Sequence, residues 1–530
     1  MYNVLSIKEV KNLKLFLVKD YIQVLKENEQ LVECVNCDSV LDKEVEYLTY
    51  SSNDVNKNSM FVCKGFGDNF KKEYLTDAIT KGAFLYVATK KYNEREFVNI
   101  PAIVVKDSFV ALNILSKLYF NFPEKDLDLI GITGTKGKST TAYYIKYILD
   151  EYAKEMNKKE TAIISSIDTF DGVEKFESHL TTPESLDMYR HFYNAKNSKI
   201  ENLVMEVSSQ ALKIGRVYDT NFDIGVFLNI SEDHISAIEH PDFDDYFNSK
   251  LKIFKKCKVA CVNLDSDFAD RILEKAKKDS KEVITFSTKD KNADIYAYNI
   301  HKQGFDTAFS VKTKDFDEQF ILTMPGLFNV ENALAAIAVT TKLGIKKGYI
   351  YEGLKKARSS GRMEIYHSED KRIIAIVDYA HNKLSFEKLF ESVKNEYSGR
   401  KIITIFGCPG KKAFLRRRDL GKVAGKNSDK IYLVAEDPGY EPVSDISNEI
   451  AKYVSEYMTN YEMIEDRGEA IKEAINYADK NYDESILLIT GKGNETRQKY
   501  GSEYLPCKSD VEYVKMYLSE YDKKESEEIK

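Results

Sequence analysis

Short apolar runs, each closed by a glycine-rich or polar turn and followed by a stretch of helical period, recur along this chain. Residues 127–133 read as a buried strand, and Ile145, Ile148, Leu149 and Tyr152 then fall at i, i+3, i+4 and i+7 on one helical face. Residues 162–164, 203–209, 224–228 and 259–262 continue the series of strands, and residues 246–254 and 333–343 read as helices with apolar faces. Ahead of them, strands at 83–87 and 102–105 alternate with helices near 72–81 and 109–120. Behind them, apolar stretches at 373–377, 401–406, 430–434 and 486–490 each end in a polar or glycine-rich turn, with helical patterns between. That alternation predicts an α/β protein whose last part is a doubly wound parallel sheet, its motifs at the carboxyl ends of the strands. Residues 121–125 read as a linker, and the charged tail 522–530 is expected to be disordered.

The chain has 530 residues, too many for one core, so about three domains are expected. The divisions fall at 1–125, 126–358 and 359–530. Hydrophobic residues are 43% of the total, enough for globular cores, and no apolar run approaches the roughly 20 residues of a membrane span. The first residues lack a signal-peptide shape, so a cytoplasmic protein is expected. A net charge of -7 with acids and bases well mixed argues against general nucleic-acid binding but leaves a local pocket for small anions possible. Seven scattered cysteines suggest no disulfide framework; Cys34 and Cys37 have redox or zinc spacing, but no second pair completes a metal site.

Chemistry enters at Gly134-Thr135-Lys136-Gly137-Lys138-Ser139-Thr140. A glycine-rich turn between a strand and a helix presents backbone amides and a helix N-terminus to an anion. Lys138 would reach the outer phosphates of a nucleotide and Ser139 would offer a hydroxyl to Mg²⁺. Ile132 stands where the usual pattern has its first glycine, so the loop is a variant. Glu206 sits in an otherwise apolar strand, where a carboxylate is costly unless it is paired or binds a metal. His234 comes off the next strand end and is a candidate second ligand. On spacing alone, Lys250 is an ordinary solvated helix position, and Asn329 and Asn332 read as caps or as readers of an adenine edge.

Taken in order, these motifs resemble the Mur ligases of peptidoglycan synthesis, and among them the UDP-MurNAc-tripeptide synthetases. The resemblance rests on Gly134 to Thr140, Thr181-Thr182-Pro183, Met205-Glu206-Val207-Ser208-Ser209 and Asn229 to His234, and further on Gly361-Arg362-Met363-Glu364, Asp378-Tyr379-Ala380-His381 and Gly491-Lys492-Gly493-Asn494-Glu495. It extends over most of the chain. It implies three domains: a small N-terminal α/β domain for the UDP-linked substrate, a central P-loop ATPase domain, and a C-terminal Rossmann-like domain that binds the incoming amino acid and closes on ATP. It also implies Mg²⁺ ligation by Ser139, Glu206, His234 and a carbamylated Lys250, with Lys138, Glu206, His234 and Lys250 forming the catalytic set. Asn329, Asn332, Arg362 and Asp378 would join the loop in binding ATP. Tyr50, Ser52, Thr181, Thr182, Ser208 and Arg216 would hold the UDP substrate, and Arg417, Glu436, Asp437, Gly491 and Glu495 the amino acid.

The activity implied is ATP-dependent amide formation on the D-Glu carboxylate of UDP-MurNAc-L-Ala-D-Glu through an acyl phosphate. The expected partners are that nucleotide and a free amino acid, without nucleic acid or membrane, on a monomeric enzyme. Relatives that add meso-diaminopimelate carry Asp-Asn-Pro-Arg where this chain has Glu436-Asp437-Pro438-Gly439. Gly439 supplies no charge for a distal carboxylate, and the acidic pair suits a distal ammonium, so L-lysine (or ornithine) is expected. Gln210 and Asn494 stand where many relatives have histidine, and Lys383 where they have proline. Another ligase of the superfamily, folylpolyglutamate synthetase-like or specific for another stem position, and a P-loop nucleotide switch are the alternatives.

Overall fold

The computed structural model describes residues 13–528 except 66–69, 179, 233–234, 236–238, 304–305, 325, 327–328, 359–362 and 412–413. The chain packs as two compact units. One is Met1–Tyr298 with Ser310–Glu318 and Glu331–Leu354; the other is Asn299–Phe309 with Gln319–Val330 and Lys355–Lys530.

The first unit opens with α1 (Val18–Glu27), β1 (Leu31–Val35), β2 (Tyr47–Thr49), β3 (Ser59–Val62), α2 (Lys72–Thr80), β4 (Ala83–Ala88), β5 (Ala102–Val105) and α3 (Ser108–Tyr119). Its sheet runs β1-β5-β4-β3-β2, parallel except for the β1–β5 pair. Every residue of α3 is buried, as its apolar composition on all sides requires, and Asp107 caps it by accepting from the amides of Phe109 and Val110. Lys117 of that helix is compensated by Glu124 and Asp219, each at 3.1 Å. The expected linker is therefore a docked 3₁₀ turn, Pro123–Asp126, with Glu124 buried.

The central elements of the same unit are β6 (Asp128–Thr133), α4 (Lys138–Glu155), β7 (Ala162–Ile164), β8 (Asp168–Phe170), β9 (Lys175–Glu177), α5 (Ser185–Asn197), β10 (Asn202–Glu206) and α6 (Ser209–Ile214). After them come β11 (Phe222–Phe227), α7 (Phe243–Leu251), β12 (Cys257–Asn263), α8 (Ala269–Asp279) and β13 (Glu282–Ser287). The sheet order β13-β12-β11-β6-β10-β7 is parallel throughout, and β8 and β9 extend it antiparallel. Strands flanked on both faces read as near-continuous apolar runs, which is why β6, β10 and β11 were legible. Each fully buried Ile, Leu, Val or Phe of these strands contributes about 1.5–3 kcal/mol. The parallel register sets the ends of β6, β10 and β11 side by side, since Ile132 pairs with both Glu206 and Val226. The chain continues through β14 (Ile295–Gln303), β15 (Asp306–Lys312), β16 (Asp317–Leu322), α9 (Asn329–Lys342) and α10 (Lys347–Lys356).

The second unit carries β17 (Glu364–His367), β18 (Ile373–Asp378), α11 (Lys383–Glu396), β19 (Lys401–Phe406), α12 (Phe414–Asn427), β20 (Lys430–Leu433) and α13 (Val443–Val454). It ends with β21 (Tyr461–Met463), α14 (Arg467–Asn481), β22 (Ser485–Thr490), β23 (Arg497–Tyr500), β24 (Glu503–Pro506) and α15 (Asp510–Glu528). Its sheet order, β17-β18-β22-β19-β20-β21, is parallel but for the antiparallel edge strand β17. The four strands read from the sequence are its centre. The tail does not behave as expected: α15 continues to Glu528, anchored by buried Val511, Val514, Leu518 and Tyr521 at helical spacing.

Candidate active site

The glycine-rich loop joins β6 to α4, with Gly137 at the N-cap in the left-handed region (φ 84°). No side chain caps α4, so its first amides are presented by the backbone alone. A Cβ on Gly137 would overlap Asn332 Oδ1, which also accepts from Thr141 Oγ1 at 3.5 Å, so the loop and the start of α9 are fitted to one another. The loop is held from below by the turn after β11. Asn229 accepts from the Lys136 amide at 2.9 Å and donates to the Lys136 carbonyl at 3.1 Å, while its own carbonyl accepts from the Thr135 amide at 3.0 Å. Thr135 Oγ1 meets Tyr246 Oη at 3.1 Å and accepts from the Ser231 amide at 3.1 Å.

Two cations converge on this loop. Lys138 Nζ donates to the carbonyls of Gly134 (3.0 Å) and Thr135 (3.2 Å). Lys250 Nζ donates to the same Gly134 carbonyl at 2.8 Å and lies 4.8 Å from the Tyr246 ring centroid. Lys250 is 2% exposed, so the solvated position that its spacing suggests is overturned. Helix α7 presents this face inward.

Glu206, at the end of β10, is 1% exposed. Its Oε1 accepts from both the amide (2.8 Å) and the hydroxyl (3.2 Å) of Ser166, and that hydroxyl lies 3.0 Å from Ser139 Oγ. Ser139, Ser166 and Glu206 thus form one oxygen-rich group beside the loop. Ser166 was not legible in the sequence; a serine after a short strand carries no signal until the pairing of β7 with β10 brings it beside Glu206. Thr140 completes the first turn of α4, half-buried. His234 and Arg362 lie outside the described residues.

A second group lies in the same unit. Thr182 Oγ1 donates to the Glu206 carbonyl and accepts from the Ser208 amide, both at 2.9 Å. Ser208 caps α6 through the Ala211 amide. Arg216 donates to the Thr182 carbonyl at 3.2 Å and to Glu184 Oε1 at 2.7 Å, and Lys64 pairs with Glu184 Oε2 at 3.2 Å. Lys64 in turn lies 4.0 Å from the Tyr50 ring centroid, and Tyr50 donates to Asp187 at 2.8 Å. Tyr50, Thr182, Ser208 and Arg216 are therefore brought into one connected network, together with Lys64 and Glu184, which sequence reasoning did not single out as a pair. Thr181 adjoins it. Ser52 stands in a 3₁₀ turn, Ser52–Asp54, where its carbonyl accepts from Lys81 at 2.9 Å and its side chain bonds Asp77.

In the second unit the sequence-predicted residues gather at the strand ends. Asp378 closes β18, accepting from the amides of Ala380 (2.7 Å) and Met363 (2.8 Å), while its carbonyl accepts from the Gly491 amide at 3.2 Å. Lys492 pairs with Asp437 at 3.0 Å and with Glu495, and Glu495 also accepts from Tyr379 Oη at 2.7 Å. Asp437 accepts from the Lys499 amide at 2.9 Å. Glu436 is buried against the Gly407 and Gly491 backbone. Burial pushes its carboxyl up to about 7, against the pull of Arg467, Arg416 and Lys492. Gly439 has φ 59°, and a Cβ there would meet only Gly501 O at 3.8 Å, so conformation and not crowding favours glycine. Arg417 is 1% exposed and its fork is filled by Glu441 (two bonds at 2.8 Å), Glu449 (2.6 Å) and the Pro409 carbonyl (3.2 Å). Any substrate carboxylate would have to share that fork. Asn329 begins α9 and is buried.

Residues 132–340 match the Mur ligase middle domain, and residues 361–493 match the glutamate ligase domain of Mur ligases. The chain is 36% identical over 517 residues to a UDP-N-acetylmuramyl-tripeptide synthetase of Ligilactobacillus salivarius, covering 94% of this chain and 98% of the relative. The chain belongs to the Mur ligase family. A UDP-N-acetylmuramoyl-L-alanyl-D-glutamate–L-lysine ligase of Enterococcus faecalis is 35% identical over 489 residues, 91% of this chain and 93% of the relative. Among solved structures, a UDP-N-acetylmuramoyl-L-alanyl-D-glutamate–2,6-diaminopimelate ligase superposes with a TM-score of 0.65 at 19% identity, covering 96% of this chain and 99% of that one. That likeness establishes the multi-domain α/β fold of this Mur ligase. Membership makes it a ligase and implies dependence on ATP and Mg²⁺. Among the described residues, no helix is long and apolar enough to cross a membrane.

Proposed function

We propose that this Mur ligase adds L-lysine to the D-Glu carboxylate of UDP-MurNAc-L-Ala-D-Glu, with ATP as the energy source. The observation that carries the reading is the junction of the glycine-rich loop with Ser139, Ser166 and Glu206, in a chain over a third identical to a curated tripeptide synthetase along nearly its whole length. Hydroxyl and carboxylate oxygens suit a hard cation, so Ser139 and Glu206, with His234 and a modified Lys250, would hold Mg²⁺. Bound there, Mg²⁺ would neutralise charge on the phosphoryl oxygens. The loop amides and Lys138 would orient the γ-phosphoryl toward the D-Glu carboxylate, a poor electrophile until phosphorylated. The lysine amine would then attack the acyl phosphate, and phosphate would leave.

Carbamylation of Lys250 has a physical motive: Lys138 and Lys250 donate to a single carbonyl, and converting one ammonium to an anion relieves that repulsion. Asn329, Asn332, Arg362 and Asp378 would contact ATP. The Tyr50, Ser52, Thr181, Thr182, Ser208 and Arg216 group would hold the UDP substrate. Residues 1–125, 126–358 and 359–530 would serve as UDP-substrate, ATP and amino-acid domains.

For the amino acid, Gly439 offers no cation to a distal carboxylate, and Glu436, Asp437 and Glu495, the last two already paired with Lys492, would offer a distal ammonium oxygen acceptors in exchange for that partner. Named L-lysine ligases at 35–36% identity favour the same choice. The test is phosphate release and product formation with UDP-MurNAc-L-Ala-D-Glu against a panel of amino acids. L-Lysine should be preferred. Exclusive use of meso-diaminopimelate would overturn the specificity, and ATP hydrolysis that needs neither acceptor would point to a nucleotide switch.

A further inference from the structure

Away from the loop, the turn between β8 and β9 packs a second set of ionisable groups against α5. His191, 1% exposed, has Nδ1 2.7 Å from Asp171 Oδ2 and 3.4 Å from Glu174 Oε2. Ligand atoms of all three side chains lie within 4.8 Å of one another. Asp171 is fully buried; its Oδ1 accepts from the amides of Val173 and Glu174, and its Oδ2 from Asn194 at 2.8 Å. Glu174 has a side chain 10% exposed, with Oε1 held by Arg190 at 3.1 Å. Its Oε2 is buried and has no hydrogen-bond partner. One Nδ1 proton cannot serve two carboxylates, and at 2.7 Å it belongs to Asp171. An acceptor buried without a donor is destabilising.

We infer that Asp171, Glu174 and His191 form a binding site for a divalent transition-metal ion, Zn²⁺ being the best match, distinct from the Mg²⁺ positions at the loop. One imidazole nitrogen and two carboxylate oxygens are a ligand set that zinc takes, and bond lengths near 2.0–2.1 Å place tetrahedral ligand atoms about 3.3 Å apart. The 3.4 Å spacing of Nδ1 and Oε2 already meets that, and the short Nδ1–Oδ2 separation opens when an ion replaces the proton between them. With neutral imidazole, Asp171, Glu174 and Arg190 sum to a single negative charge, which favours a cation. Arg190 and Asn194 hold the carboxylates from outside, as supporting hydrogen bonds do around metal sites.

The consequence is a staple. Hairpin β8–β9 begins beside Ser166, which holds Glu206, and its far strand leads into Thr181 and Thr182. The Ser178 amide bonds the Ile167 carbonyl at 2.9 Å across the hairpin's open end. An ion joining the hairpin tip to α5 would fix both ends of this segment, a structural role outside the chemistry of ligation.

The test uses the full chain, stripped with chelator and supplied with millimolar Mg²⁺, titrated with Co²⁺ as a coloured probe. Wild type should bind a Co²⁺ ion with visible absorption stronger than the hexaaquo ion gives, and Zn²⁺ should displace it. Glu174→Gln and His191→Gln should each weaken that binding by about tenfold or more. Zn²⁺ should raise the unfolding midpoint of wild type and leave that of Glu174→Gln unmoved. Equal Co²⁺ spectra or equal Zn²⁺ shifts in wild type and Glu174→Gln would overturn the site. Should both variants fail to fold, X-ray absorption on the zinc-loaded His234→Gln chain, which lacks the imidazole assigned to the loop's Mg²⁺ set, decides: imidazole nitrogen among the nearest atoms supports the site, and an all-oxygen shell overturns it.

Discussion

Two sets of strand ends in this ligase carry glycine-rich turns, and their electrostatics are arranged in opposite ways. At the ends of β6 and β10, the cations Lys138 and Lys250 meet a backbone carbonyl, and the carboxylate Glu206 meets hydroxyl and amide donors. At the ends of β18, β20 and β22, charge meets charge: Lys492 with Asp437 and Glu495, Arg467 with Asp510, Arg417 with Glu441 and Glu449. In the first set these described bonds join each charge to a neutral partner, which would suit the phosphate and metal proposed there. The second is already neutralised within itself, so a zwitterionic amino acid would have to exchange partners with a formed network, which favours shape and sign over raw attraction.

The largest effect separating the two should come from Lys138→Ala, which we expect to lower the rate of amino-acid-dependent phosphate release by about a thousandfold or more, several kcal/mol of transition-state stabilisation. Near wild-type turnover would remove the nucleotide role of the loop. Next, Lys250→Ala should be inactive and regain part of its activity with added short-chain carboxylates. A full rate without additive would refute a carbamate at this position.

The neutralised side offers a stability test. Glu436 titrates near 7 when folded, against an ordinary carboxylate value near 4.5. Between those values the unfolded chain binds fewer protons than the folded one, so stability falls as pH rises through the window, by roughly 3 kcal/mol for this group alone. Comparing unfolding midpoints of wild type and Glu436→Gln from pH 5 to 8 should show the variant free of that part of the decline; parallel curves would mean that Glu436 is ionised at ordinary pH. The smallest effect expected is for Ser166→Ala, about tenfold in rate with a raised Mg²⁺ requirement, since it loosens Glu206 without removing it. An unchanged Mg²⁺ dependence would leave Ser166 a purely structural bridge.

The sequence by itself determined the alternation of strand and helix, the phosphate-loop turn and the acidic residue at the end of β10, because apolar period, glycine placement and a charge in a buried run are local signals. It could not show that Ser166 links Ser139 to Glu206, nor that Lys250 is buried against Gly134, because those contacts span 27, 40 and 116 residues. Only the parallel register of β11, β6, β10 and β7 and the inward face of α7 decide them. The same limit explains Arg417, which the resemblance placed among the amino-acid contacts, whereas the packing of α12 against α13 brings Glu441 and Glu449 onto its guanidinium. It also explains the tail, where charge suggested disorder and the apolar face of α15 found a partner in the C-terminal core.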